Sequence, residues 1–168
     1  LGGSFDPAHK GHLTISKTAI KKFKLNKVLW VITKQNPFKG KTFFPLSQRI
    51  AKAKKITHRI KKIKVVYLDK TIGSSRSINL INYLINKKKL RNIYLIIGSD
   101  NLIEFHKWKS WKKIVKLTKL IVFSRKGYDR KAYNSIVAKY LKNKIIYIKN
   151  KPIVISSSKL RRQLRKVS

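Results

Sequence analysis

Short apolar runs alternate with helical patterns along the whole chain, and this alternation limits the folds that it can adopt. The strand-like runs lie at residues 27–33, 63–68, 93–97, 120–123, 144–148 and 152–155. Most of the stretches between them carry apolar residues at helical spacing. Strands that alternate with helices form a parallel sheet with both faces covered. We therefore expect an α/β fold with a doubly wound parallel sheet, in a single domain over residues 1–168.

Three of the helical segments have an apolar face that the spacing identifies. The first segment follows Pro45, a residue suited to a helix start, and carries arginine and lysine on its other face. The apolar faces consist of Leu46, Ile50, Ala53 and Ile56 in the first segment, Ile78, Ile81, Leu84 and Ile85 in the second, and Ile136, Val137, Tyr140 and Leu141 in the third. These residues are expected to pack on the sheet.

Polar blocks follow the strand-like runs. They lie at residues 35–39, 98–101, 124–128 and 156–161. Ligands of parallel α/β sheets bind outside the carboxyl ends of the strands, where such blocks would lie. The sequence therefore predicts a ligand site at that edge.

The segment from Gly2 to His12 has the composition of a phosphate site. It contains three glycines, a proline and two histidines, and a helical pattern follows at once. Glycines allow close approach of backbone N–H groups, and a helix start offers unpaired donors and the positive end of the dipole. His9 and His12 are three residues apart, so both rings are expected on one face of the first turn. The alternative is a glycine-rich turn with two surface histidines.

The composition excludes several classes of protein. With 168 residues the chain can bury a core of one domain. No cysteine is present, which excludes disulfides, thiolate metal sites and cysteine nucleophiles and is compatible with the cytoplasm. No apolar run is long enough to cross a bilayer, so no membrane partner is expected.

The charge is extreme, with 43 Lys and Arg against five Asp and Glu and a formal net charge of +38. Such a field attracts polyanions, so a basic nucleic-acid-binding module is an alternative. The lysines are spread over nearly every segment, however, and no helix-turn-helix or RNA-recognition signature is present. We interpret most of the charge as codon bias on solvated faces, and a nucleic-acid partner is not expected.

The motif Gly-Gly-Ser-Phe-Asp-Pro at residues 2–7, with His-x-Gly-His at residues 9–12, resembles the opening motif of the H-x-G-H nucleotidylyltransferases. Within that superfamily the chain is most similar to bacterial nicotinate-nucleotide adenylyltransferases. The similarity continues in the family's order through residues 36–39, 97–102, 105–111, 124–128 and 155–161. It implies a Rossmann-like fold and transfer of the adenylyl group of ATP to nicotinate mononucleotide, giving deamido-NAD and pyrophosphate.

The resemblance also implies roles for individual residues. The residues implied in catalysis are His9, His12 and Arg161. Those implied in ATP binding are Gly2, Gly3, Ser4, Phe5, Gly11, Lys39, Gly98, Asp100, Arg125, Ser156, Ser157 and Ser158. Those implied in mononucleotide binding are Asn36, Ser77 and Trp108, the last by stacking on the pyridine ring.

The reaction fits a chain with few carboxylates. The nucleophile is a phosphate that is already an anion, so catalysis requires positioning and charge stabilisation instead of a side-chain base. Mg²⁺ is expected to enter with ATP, bound to its oxygens and to water.

Several assignments have alternatives. Ser156–Ser158 can be an ordinary N-cap, Lys39 a surface charge and Trp108 a core residue. Arg76 and Ser77 stand where the family more often has Tyr and Thr, which weakens the assignment of Ser77. Pantetheine-phosphate adenylyltransferase shares the opening and closing motifs and is the alternative within the superfamily.

The two ends of the chain carry one more expectation. A glycine loop of this kind turns out of a strand, yet only Leu1 precedes Gly2. The family has a short apolar strand first and a further helical segment last. We therefore expect that the chain lacks its first strand and is truncated at both ends.

Overall fold

The computed structural model describes residues 1–35, 40–149 and 155–164. These residues form two compact units, one of residues 1–35, 40–71 and 155–164 and the other of residues 72–149. Each unit contains a parallel sheet of three strands with helices. The predicted parallel α/β fold is confirmed, whereas the single domain over residues 1–168 stays a prediction.

The sheet of the first unit has the order β1-β2-β3. Its elements, with labels in chain order, are β1 (Gly2–Gly3), α1 (Lys10–Lys22), β2 (Val28–Ile32), α2 (Leu46–Thr57), β3 (Ile63–Val66), α3 (Asp69–Ile72) at the boundary of the unit, and α9 (Ser157–Leu164). In the parallel ladders Gly2 lies beside Val31, and Val28 lies beside Ile63. The carboxyl ends of β1 and β2 therefore lie at the same edge.

The core of the first unit forms around β2. Trp30 and Ile32 are fully buried, and the indole Nε1 of Trp30 donates to Ser16 Oγ of α1 at 2.8 Å. Ala19 of α1 and Ala53 of α2 are also fully buried. The β-branched, apolar run thus forms a strand covered by helices, as parallel strands generally are.

The sheet of the second unit has the order β4-β5-β6. Its elements are α4 (Ser77–Asn86), β4 (Tyr94–Gly98), α5 (Ser99–Glu104), a 3₁₀ turn (Phe105–Lys107), α6 (Trp111–Leu117), β5 (Lys119–Phe123), α7 (Asp129–Tyr133), α8 (Ile136–Leu141), a second 3₁₀ turn (Lys142–Lys144) and β6 (Ile145–Ile148). The core includes Leu102, Phe105, Ile114 and Val122, each fully buried.

The predicted strands at residues 27–33, 63–68, 93–97, 120–123 and 144–148 are confirmed as β2 to β6. Residues 152–154 of the sixth run lie outside the described residues, and Ile155 is not in a strand. Gly2 and Gly3, assigned to a loop, form the short strand β1. No helix in the described ranges is long and apolar enough to span a bilayer.

Two helix predictions need correction. The third helical segment, which the sequence predicts as one helix over residues 132–141, is helical over Ile136–Leu141 but is not continuous, because α7 ends at Tyr133 and Ser135 caps α8 by accepting from Ala138 N at 3.2 Å. Ile136 and Tyr140, predicted in the core, are 56% and 46% exposed. In α2 the prediction that arginine faces solvent is also wrong, because Arg49 is only 1% exposed.

Candidate functional site

His9 and His12 lie together at the N-terminus of α1. His9 is the N-cap of the helix, and its Nδ1 accepts from Gly11 N at 3.0 Å. His12 reaches back, and its Nδ1 accepts from His9 N at 3.3 Å. The ring centroids are 3.9 Å apart. The i, i+3 spacing thus brings the two imidazoles side by side, and the pair completes a capping box in which histidine replaces the usual Ser and Glu.

These contacts determine the tautomer of both neutral rings. A neutral imidazole has one donor and one acceptor nitrogen. Because Nδ1 of each ring accepts from a backbone N–H, the proton of each neutral ring is on Nε2. The two Nε2–H groups lie at a helix start, where the helix dipole favours anions. This arrangement can bind and stabilise phosphate oxygens.

Aromatic side chains of the core pack against the His12 ring. The Phe5 ring lies 4.7 Å from the His12 ring and 5.0 Å from that of Trp30. The ring of Trp30 approaches His12 at 5.9 Å, nearly edge-on. Ser16 connects the same groups, since its Oγ accepts from Trp30 and donates to His12 O at 2.8 Å. The orientation of His12 is therefore set by the core of the first unit.

The loop between β1 and α1 has an unusual backbone. Phe5 is 3% exposed and has φ = 47°, in the left-handed region that costs a non-glycine residue about 1–3 kcal/mol. Ser4 precedes it directly after β1, and Gly11 is a buried residue of the first turn of α1. Packing of the Phe5 side chain offsets this cost and keeps the loop in one conformation.

The start of α9 is bonded to the same loop. Arg161 Nη1 donates to Asp6 O at 2.5 Å and lies 3.7 Å from Asp6 Oδ2. Ser157 Oγ donates to Pro7 O at 3.0 Å. Arg161 Nη2 also donates to Ser158 Oγ at 3.2 Å. A second helix start, with hydroxyls and a guanidinium, is thereby tied to the loop that precedes His9.

Ser156 acts as a helix cap. Its Oγ accepts from Lys159 N at 3.2 Å, which is the N-cap interaction that the sequence left open as an alternative. A capping role does not exclude ligand binding by the neighbouring hydroxyls of Ser157 and Ser158.

In the second unit, Gly98, Asp100 and Arg125 come together at the carboxyl ends of β4 and β5. Arg125 Nη1 donates to Asp100 Oδ2 at 2.5 Å. An alanine Cβ at position 98 would lie 2.4 Å from Asp100 Oδ1, so the glycine leaves room for this carboxylate. The carboxylate can accept from a sugar hydroxyl or an amine, and the guanidinium can cover a flat ring.

Asp129 holds the turn that presents Arg125. Its carboxylate accepts from Ser124 Oγ and, at 3.1 Å, from Arg125 N. Arg125 N also donates to the buried Ser99 Oγ at 3.0 Å. Burial acts to raise the pKa of Asp129, but bonds from Ser124, Ser99 and Arg125 outweigh it and lower the pKa. Asp129 therefore stays ionised and keeps the turn fixed.

The predicted mononucleotide residues are placed only in part. Trp108 is half-buried, with its ring 4.7 Å from that of Phe105 at the edge of the core of the second unit. Ser77 is the first residue of α4 and is half-buried. Asn36 and Lys39 lie outside the described residues.

Sequence reasoning missed three residues that organise these sites, namely Asp6, Arg49 and Asp129. Asp6 is 4% exposed and accepts from the backbone N–H groups of Phe43 and Phe44 at 2.8 and 2.9 Å. A signal existed for Asp6 and Asp129, because a chain with five acids has few carboxylates to place. Arg49 gave a weaker signal, as one basic residue adjoining an apolar face.

Comparison with known proteins identifies the family. The cytidylyltransferase-like family matches residues 1–163. The probable nicotinate-nucleotide adenylyltransferase of Pelagibacter ubique (strain HTCC1062) is 50% identical over 163 residues, which cover 96% of this chain and 90% of the relative. The chain belongs to the cytidylyltransferase-like family, among its nicotinate-nucleotide adenylyltransferases.

Other relatives agree with this placement. A protein of the same name from Cereibacter sphaeroides (strain ATCC 17023) is 33% identical over 139 residues, or 83% of this chain and 73% of that protein. Nicotinic acid mononucleotide adenylyltransferase of Plasmodium falciparum, solved with NaAD, is similar in structure, with a TM-score of 0.75 and 20% identity over 96% of this chain and 80% of that one. The same enzyme solved with APC gives a TM-score of 0.74 at 18% identity, with the same coverage. At these identities the two structures establish the fold.

Proposed function

We propose that this chain is a nicotinate-nucleotide adenylyltransferase, which transfers the adenylyl group of ATP to nicotinate mononucleotide and releases pyrophosphate. The product is deamido-NAD, so the reaction belongs to NAD biosynthesis. The observation that carries the proposal is the imidazole pair of His9 and His12, whose Nε2–H groups are fixed by backbone bonds at the start of α1. The names of the similar proteins support the same substrates.

The mechanism follows from the chemistry of the donors. The phosphate of the mononucleotide attacks the α-phosphorus of ATP in line, and the bond to the pyrophosphate oxygen breaks. Charge grows on the equatorial oxygens and on the leaving group. Nε2–H of His12 would donate to the transferring phosphoryl, and His9 would contact the triphosphate. These donors need no reorganisation during the reaction, because the helix start and the aromatic packing hold them in place.

The β,γ-phosphates would bind at the start of α9. The amides of its first turn, the hydroxyls of Ser156, Ser157 and Ser158, and the Arg161 guanidinium are suitable phosphate ligands. The loop residues Gly2 to Phe5 and Gly11 would offer backbone contacts to the same polyphosphate, and Lys39 a further cation.

The remaining contacts concern the two nucleosides. We assign the adenosine to Gly98, Asp100 and Arg125, since a carboxylate and a planar guanidinium suit ribose and a purine ring. We assign the pyridine ring to Trp108, with Asn36 and Ser77 as further contacts. A half-buried indole can stack on a ring at low entropic cost.

A divalent cation would accompany ATP in this reaction. Around His9 and His12 the side-chain and backbone donors fit phosphate oxygens and not a metal ion, and Asp6 already accepts from two amides and lies near Arg161. Mg²⁺ would therefore be held by the triphosphate and water, where it neutralises phosphate charge. Because ATP is the adenylyl donor, we place the reaction in the cytoplasm.

A coupled pyrophosphate assay tests the function. The protein should release pyrophosphate and form deamido-NAD when ATP and nicotinate mononucleotide are both present, and either substrate alone is the control. Turnover with phosphopantetheine but with neither pyridine mononucleotide would overturn the proposal in favour of the pantetheine branch. Salt-dependent nucleic-acid binding without turnover of ATP would overturn it in favour of a basic binding module.

A further inference from the structure

Arg49 is a buried cation that the mechanism above does not use. It lies in α2 and is 1% exposed. Its guanidinium donates to four backbone carbonyls. The bonds join Nε to Phe44 O at 3.0 Å, Nη1 to Ser4 O at 2.6 Å and to Thr33 O at 2.8 Å, and Nη2 to Lys34 O at 2.8 Å. All three nitrogens are therefore bonded, each to main-chain oxygen.

The four carbonyls belong to segments that meet at the ligand edge of the first sheet. Ser4 follows β1, and Thr33 and Lys34 follow β2. Phe44 lies at the other end of the connection between β2 and α2. One side chain thus fixes the two strand exits relative to each other and to the start of α2.

Two carboxylates reinforce the same arrangement. Asp6 accepts from Phe43 N and Phe44 N, and Asp69 Oδ2 accepts from Lys34 N at 2.8 Å. Burial lowers the pKa of Arg49, while the charges of Asp6 and Asp69 act in the opposite direction. Both ends of the β2–α2 connection are therefore held by charged side chains.

The bond to Ser4 O bears directly on the phosphate loop. In a planar trans peptide the C=O and N–H groups point in opposite directions. Because Ser4 O faces the guanidinium, the N–H of Phe5 faces away from it. Among the described residues no acceptor is found for Phe5 N. The same peptide leads into the left-handed Phe5, whose ring packs on His12.

We propose that Arg49 is a positioning residue for adenylyl transfer, which fixes the Ser4–Phe5 peptide and through Phe5 the imidazole of His12. The inference rests on the proposed function. A guanidinium suits this task because its donors form a rigid planar fork, whereas a lysine ammonium is a single point of charge. A lysine at this position has a single side-chain nitrogen and cannot reproduce the four bonds that the three guanidinium nitrogens of Arg49 donate.

The test is the Arg49→Lys variant, which keeps the charge. Small displacements of catalytic groups cost about a hundredfold in rate. We expect kcat to fall about 10- to 100-fold, with KM for nicotinate mononucleotide within about threefold of wild type, since the contacts assigned to that substrate lie elsewhere. The control is Ala53→Gly, which weakens the same helix at a fully buried site and removes no side-chain hydrogen bond to the loops. It should lower the melting temperature and leave kcat unchanged.

Unchanged kcat in Arg49→Lys would overturn the inference. An equal fall of kcat in Ala53→Gly, when the two variants have the same melting temperature, would also overturn it. If wild type itself forms no deamido-NAD, the proposed function fails instead.

A second measurement uses the unmodified protein and does not depend on whether the variant folds. In NMR spectra at neutral pH, the Nε–H and Nη–H signals of Arg49 should be resolved and exchange slowly with water, because the group is buried and bonded to four oxygens. Rapid exchange like that of a surface arginine would show that the network does not form, and would overturn the inference.

Discussion

At the scale of single residues, the first site depends on backbone bonds to side chains that the local sequence determines. His9 and His12 cap their own helix, so the tautomer of both rings follows from a four-residue segment, whereas the core of the first unit sets the orientation of His12. This explains why the spacing alone could predict the pair.

Replacement of His12 by alanine tests its assigned role. We expect kcat to fall roughly a hundredfold, or ~3 kcal/mol, because a preorganised donor acts most strongly where charge develops. Binding of a non-hydrolysable ATP analogue, measured by calorimetry, should change far less. The matched control is His58→Ala, since His58 is an exposed residue at the end of α2 and should leave kcat unchanged. A variant that loses ATP affinity and keeps its turnover would show that His12 binds the ground state.

Other residues of the first site could not be predicted from spacing. The four acceptors of Arg49 are backbone oxygens that come close only when β1, β2 and α2 have assembled. Helical spacing placed Arg49 beside an apolar face but gave no reason to bury a charge there. The positive φ of Phe5 is likewise a tertiary effect, because the sequence has a phenylalanine where glycine would be unstrained.

At the scale of elements, apolar runs predicted five strands because parallel strands buried on both faces need continuous apolar residues. The helices were less predictable. Residues 132–141 have a helical period throughout, but the Ser135 side chain competes for a backbone N–H, so that α7 ends before it and α8 begins after it. The exposed Tyr140 packs edge-on against the Trp111 ring at 5.0 Å, so an apolar residue at helical spacing need not be in the core.

Strand β6 carries a tyrosine, Tyr147, whose hydroxyl is buried without a hydrogen bond to any described residue. The Tyr147 ring packs 4.3 Å from that of Tyr133, and its hydroxyl is buried with no hydrogen-bond partner among the described residues. An unsatisfied buried polar atom costs about 1–3 kcal/mol. Tyr147→Phe should therefore raise the free energy of unfolding at pH 7 by about 1 kcal/mol in urea denaturation. Tyr140→Phe, at an exposed position, is the control and should change nothing.

The same hydroxyl predicts a dependence on pH. Burial raises the pKa of Tyr147 to about 12 from 10.0, with further contributions from Tyr133 and Asp129. The folded state thus favours the neutral phenol more than the unfolded chain does. The stability that this difference in pKa contributes is complete below pH 10 and is lost as the pH rises from 10 to 12. The advantage of Tyr147→Phe over wild type should widen across that interval. An advantage that is constant or shrinks would show that the hydroxyl ionises as readily in the folded protein as in the unfolded chain.

At the scale of the whole molecule, the outstanding property is the charge of +38. Composition predicted its size and the small number of acids, and the structure shows which of these acids form ion pairs. The ion pairs between described side chains are Lys107–Glu104, Arg125–Asp100 and Arg161–Asp6. Because 43 Lys and Arg residues face only five acids, most of the cations repel one another across solvated faces.

This repulsion predicts that added salt stabilises the fold. The screening length is about 30 Å at 0.01 M salt and about 3 Å at 1 M. NaCl therefore weakens the summed repulsion between cations on the folded surface by more than it weakens the attraction within any single ion pair. Like charges are farther apart in the unfolded chain, and the folded state therefore gains more from screening. Raising NaCl from 0.01 to 0.5 M should increase the melting temperature by several degrees, since ~1 kcal/mol corresponds to about 2–4 °C at this size. The control is an equal osmolality of sucrose, which does not screen charge. A melting temperature that falls with NaCl would mean that attractive pairs outweigh the repulsion. In the same titration KM for ATP should rise, because the field that concentrates the anionic substrate is screened as well.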